Sequence, residues 1–166
     1  MNNQLTTDTY YNNGTTKTSG GVTYGYDFEG HMTSAGSSIG IVYDGDGNRV
    51  SETVSGTTTK YLVDTVNPTG LPQVLDETVS GSVTRTYGYG LQRISENQLS
   101  GSTWTPSFYG HDGHGNVRLL TSSTGSGTDT YTFDAFGRLI SFTGASPQVH
   151  ADGPARTAAG RRLWRS

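Results

Sequence analysis

Three groups of residues carry side chains capable of chemistry, and each sits inside a turn-like phrase. Asp44-Gly45-Asp46-Gly47-Asn48 sets oxygen-bearing side chains at alternate positions, the opening of a calcium loop. Such a loop needs Gly at its sixth position and Glu at its twelfth. Those positions are Arg49 and Ser55, so an ordinary hairpin turn is the better reading. His111-Asp112-Gly113-His114 offers two imidazoles around a carboxylate, half of a zinc site. The remaining histidines, His31 and His150, lie far off in turn and tail sequence, so no third ligand is expected. Serine and threonine are abundant, but a nucleophile needs a base and an orienting acid beside it, and nothing singles one out. The residues thus predict no catalytic, cofactor-binding or metal-binding site, no cofactor and no enzyme.

The elements that hold these phrases are legible from their repetition. An aromatic-Asp-x-x-Gly phrase recurs at Tyr26-Asp27-Phe28-Glu29-Gly30, Tyr43-Asp44-Gly45-Asp46-Gly47 and Phe133-Asp134-Ala135-Phe136-Gly137, with a relaxed copy at His111-Asp112-Gly113-His114-Gly115. Asp first and Gly fourth suit a type I turn followed by a Gly bulge on re-entry to the strand. A second turn signal falls between them, at Ser55-Gly56, Ser80-Gly81, Ser100-Gly101 and Thr124-Gly125. The alternation predicts an all-β chain, a curved strip of tandem antiparallel β-hairpins with little or no helix. Its structural turn residues are Tyr26, Asp27, Gly30, Tyr43, Asp44, Gly47, Asp112, Gly115, Phe133, Asp134 and Gly137. Tandem repeats of one unit usually work through the surface they build. Pro68 and Pro72 cannot donate to a ladder, so the stretch around them reads as an enlarged turn.

Composition agrees with a thin sheet. Leu, Ile, Val and Phe make up about 18% of the 166 residues, while ten tyrosines and many threonines favour pleated structure. The net charge of −3 is too small to suggest disorder. It is also uneven: residues 1–144 carry −6 and residues 145–166 carry +3. The chain reads as an N-terminal partial repeat (1–21), a hairpin-repeat region (22–144) and an irregular Arg/Ala/Pro tail (145–166). There is no cysteine and no apolar run long enough for a membrane span. Three clustered arginines in the tail are too few for a phosphate footprint, so no nucleic-acid partner is expected. No secretory signal is visible at the N-terminus.

Several longer strings resemble the core region of Rhs (rearrangement hot spot) or YD-repeat proteins. They run from Tyr61-Leu62-Val63-Asp64 through Asn67-Pro68-Thr69-Gly70 to Tyr87-Gly88-Tyr89-Gly90-Leu91-Gln92-Arg93-Ile94-Ser95, then Tyr109 to Thr121 and Thr128 to Gly137. The likeness covers about residues 22–144 and extends to Tc-toxin shell components and the teneurin YD shell. It implies a hollow shell of hairpins around a toxin domain, in proteins that are secreted or displayed at the cell surface. After about Gly144 the sequence departs from that pattern, so self-cleavage and toxin activity are not carried over. The expected function is a non-catalytic structural fragment of such a shell. Its partners would be the remainder of the shell or the enclosed toxin, with self-association through an open sheet edge. The alternative is a carbohydrate-binding module whose exposed Tyr24, Tyr26, Tyr43, Tyr61, Tyr87 and Tyr89 stack on sugars, with glycans as partners.

Overall fold

The computed structural model describes residues 4–144 and contains strands and turns but no helix among them. The expectations attached to the Arg/Ala/Pro tail lie outside the described residues. Fourteen strands follow one another, and each neighbours the next in a single open antiparallel sheet. The strands are β1 (Thr9–Tyr10), β2 (Thr16–Ser19), β3 (Val22–Tyr26), β4 (Met32–Ala35) and β5 (Ile39–Tyr43). Next come β6 (Arg49–Val54), β7 (Thr57–Asp64), β8 (Gln73–Val79) and β9 (Ser82–Tyr89). The last five are β10 (Arg93–Ser100), β11 (Thr103–His111), β12 (Val117–Thr121), β13 (Gly127–Phe133) and β14 (Leu139–Thr143). The chain divides into two compact units between Thr86 and Tyr87, inside β9.

Two turn designs recur between the strands. In the wide design the first residue's N–H meets the carbonyl four residues on, and the closing Gly N–H returns to the first residue's carbonyl. Asp44 N to Asn48 O is 2.9 Å and Gly47 N to Asp44 O is 3.2 Å, with Gly47 at φ +81°. The tight design uses two residues: Ser55 and Gly56 both take positive φ, as do Ser80 and Gly81. That is the primed turn whose twist matches the flanking strands. The signal at Thr124-Gly125 is the end of a wide turn, Ser122-Ser123-Thr124-Gly125, closed by Ser122 N to Ser126 O at 2.9 Å. Tyr11-Asn12-Asn13-Gly14 is another wide turn of the same form.

Wide turns impose a bulge on the outgoing strand. Val42 pairs with Ser51 but Tyr43 pairs with Arg49, which leaves Val50 as the extra residue. Arg118 and Ile140 hold the same place after Asp112 and Asp134. An extra residue shifts the alternation by one, so residues three apart across the bulge share a face.

In the first unit the register carries Tyr24, Ala35, Ile41, Glu52, Tyr61 and Glu77 on one face. In the second unit Glu96, Tyr109, Leu120, Asp129 and Tyr131 share a face. Among the described residues these faces hold the buried side chains: Tyr24, Ala35, Ile41, Leu120 and Tyr131, together with Glu52, Glu96 and Asp129. Five apolar groups make a slender core, as the scarcity of aliphatic residues dictates. On the opposite face Gly25, Gly88 and Gly110 leave room for the side chains of Ser34, Ser95 and Leu119. A Cβ on Gly110 would stand 2.8 Å from Leu119 Cγ.

Candidate functional site

The turn aspartates brace their own loops. Asp44 Oδ1 accepts the N–H of Asp46 at 3.0 Å and of Asn48 at 2.8 Å, while Oδ2 accepts the Asn48 amide at 3.1 Å. Asp112 accepts from His114 N and Asn116 N, and Asp134 from Phe136 N and Arg138 N. Hydrogen bonds to the charged form favour it. The Asn48 side chain and backbone therefore hold the Asp44 carboxyl below its ordinary value, and Asn116 does the same for Asp112. Gly30, Gly47, Gly115 and Gly137 close the four turns at positive φ. Tyr26, Tyr43 and Phe133 end the incoming strands, and Tyr43 Oη donates to the Met32 carbonyl at 3.2 Å.

Around the first of these turns Asp27, Glu29 and His31 bring one ligand atom each within 4.8 Å of the others, a group among the described residues that could hold a cation. His31 Nδ1 stands 3.1 Å from Asp27 Oδ2 and 3.6 Å from Glu29 Oε2, with its ring stacked on Tyr43 at 4.8 Å. Burial alone would raise the Asp27 carboxyl, but donation from the His31 backbone and side chain brings it below its ordinary value. The alternating Asp27-x-Glu29-x-His31 is the signal that sequence reasoning passed over. His111 and His114 do not form a comparable pair. Both His111 ring nitrogens face carbonyl oxygens, those of Gly115 at 3.2 Å and Arg93 at 2.9 Å.

The most organised polar groups lie on the buried faces, and they repeat. Arg49-Val50-Ser51-Glu52 and Arg93-Ile94-Ser95-Glu96 open β6 and β10 with nearly the same words. In each, the glutamate accepts a tyrosine hydroxyl from the next strand. Tyr61 Oη to Glu52 Oε2 is 3.0 Å and Tyr109 Oη to Glu96 Oε2 is 2.7 Å. The bulge at Val50 brings Arg49 round to the Glu52 face, 3.6 Å from its carboxylate and over the Tyr61 ring at 5.2 Å. Arg93 is held among three rings: 4.4 Å from Tyr87, 5.4 Å from Tyr89 and 5.8 Å from Tyr109. It also donates to Tyr89 Oη. Burial, and next the neighbouring glutamate, push both the Tyr61 and Tyr109 hydroxyls well above the usual phenol range. They remain protonated donors. The expected exposed tyrosine ladder is thereby corrected: Tyr24 is buried, and Tyr26, Tyr43, Tyr61, Tyr87 and Tyr89 are all partly covered.

No family model matches the chain. Among known proteins it is similar to the tRNA nuclease WapA of Bacillus subtilis strain 168, at 30% identity over 146 residues, 84% of this chain and 6% of that protein. The tRNA(Glu)-specific nuclease WapA of Bacillus subtilis subsp. natto matches to the same extent. The tRNA3(Ser)-specific nuclease WapA of Bacillus spizizenii matches at 30% over 148 residues, with the same shares of the two chains. The chain thus spans only a small part of the length of these relatives. Two expectations are corrected by this finding: that the chain is a non-catalytic shell fragment or a sugar-binding module, and that it is no enzyme. The first rested on the likeness to Rhs shells and on the tyrosines, the second on finding no active site among the residues. The proteins that share the segment are named as tRNA nucleases.

Proposed function

We propose that this chain is a hairpin-repeat segment of a tRNA nuclease polypeptide, of the Rhs or YD-repeat kind that its turn phrases resemble. The observation that carries the reading is the likeness to WapA nucleases across 84% of the chain. The sequential hairpins and alternating turn designs support the repeat part of it.

Relatives named for different tRNAs, tRNA(Glu) and tRNA3(Ser), match this segment equally well at 30%. That favours determinants of tRNA choice lying in other parts of the polypeptide. Electrostatics points the same way, because tRNA is a polyanion and residues 1–144 carry a net −6. The reading makes tRNA the substrate of the whole polypeptide.

Incubating the purified polypeptide that carries this chain with a total tRNA pool tests the reading. Loss of full-length tRNA is expected, and a pool that stays intact overturns it.

A further inference from the structure

We propose that His111 is a pH-operated latch between the turn at Asp112–Gly115 and the start of β10. The ring lies between two acceptors, with Nε2 2.9 Å from the Arg93 carbonyl and Nδ1 3.2 Å from the Gly115 carbonyl. A neutral imidazole has one N–H and one lone pair, whereas the imidazolium has two N–H donors. Only the doubly protonated ring satisfies both carbonyls.

When the ring gives a proton to solvent, the shorter contact to Arg93 keeps the remaining N–H. The Nδ1 lone pair then faces the lone pairs of the Gly115 oxygen, and that contact becomes repulsive. The turn is otherwise closed by its own bonds, Asp112 N to Asn116 O and Gly115 N to Asp112 O. It is therefore released from β10 as an intact loop. Its side toward the β9–β10 connection is close-fitting, since a Cβ on Gly115 would stand 3.1 Å from Gln92 Nε2.

The charged and titratable groups around the ring are few. Tyr109 of β11 stacks on it at 6.3 Å, and the Arg93 guanidinium of β10 lies over the far Tyr109 ring. The turn contributes Asp112 and His114, and β12 contributes Arg118, 3.9 Å from Asp112 Oδ2. Both bonds are made when the ring is protonated, and the one to Gly115 is lost when the ring is neutral.

The test is nitrogen-15 NMR of the His111 ring in the full chain, with thermal unfolding of wild type and His111→Phe. Phe keeps the stack on Tyr109 and cannot titrate. Two protected ring N–H protons are expected at about pH 5.5 and Nε2–H alone at about pH 8. The wild type should exceed His111→Phe in unfolding midpoint by about 2–4 °C more at the lower pH, the size of one hydrogen bond in a chain of this length. A single ring N–H at the lower pH, or a midpoint difference that does not vary with pH, overturns the proposal. Should His111→Phe fail to fold, the ring spectra of the wild type decide alone.

Discussion

Tyr109 Oη donates to Glu96 Oε2 across 2.7 Å, and Glu96 is only 2% exposed. This bond and its counterpart between Tyr61 and Glu52 are the polar anchors of sheet faces that bury few apolar side chains. Removing a donor to a buried carboxylate costs about 1–3 kcal/mol. Tyr109→Phe, which keeps the ring over Arg93, is expected to lose stability of that order in chemical denaturation. Tyr61→Phe should lose less, since Glu52 is more accessible at 9%. Equal stability of Tyr109→Phe and wild type would show that the bond does not anchor the face.

The wide turns predict a contrast between neighbouring glycines. Gly47 sits at φ +81°, where a β-branched side chain is strained, and Gly45 does not take positive φ. Gly47→Val should destabilise by about 1–3 kcal/mol. Gly45→Ala has open space at its Cβ and should be neutral or stabilising by up to about 1 kcal/mol. Thermal unfolding of the two variants checks the pair. An identical response at both positions would contradict the turn geometry.

Acid should loosen the wide turns. Asp44 and Asp112 have folded pKa values below the ordinary 3.8, chiefly through the side chains of Asn48 and Asn116. For a depressed carboxylate, stability is fully present above the unfolded value and is lost as pH falls through the folded one. The stability of wild type is expected to decline below about pH 4, and Asp44→Asn should flatten part of that decline. Acid titration followed by circular dichroism reads this out. A decline unchanged in Asp44→Asn would remove the turn carboxylate from the account.

How much of this was legible in sequence depends on where each residue's partner lies. Asp44 and Gly47 act on a loop of their own making, so four adjacent letters were enough to find the turn. Ser122 does the same work with a hydroxyl in place of a carboxylate, so only the closing Thr124-Gly125 of that wide turn is legible in sequence. Glu52 and Glu96 were passed over for a different reason. A glutamate on a strand ordinarily faces water, and the residues that make these two internal, Tyr61 and Tyr109, lie nine and thirteen positions away. The near-identity of Arg49-Val50-Ser51-Glu52 and Arg93-Ile94-Ser95-Glu96 was the available signal. The bulge that brings Arg49 to the Glu52 face has no letter of its own.

Sequencing tRNA ends tests whether this hairpin segment belongs, as we propose, to a tRNA nuclease polypeptide. The purified polypeptide that carries the chain would be incubated with a cellular tRNA pool and the ends of every species mapped over time. The account predicts new internal ends accumulating in one or a few tRNA species while the rest keep their native termini. A pool in which every species keeps both native ends, at any enzyme concentration, would contradict it.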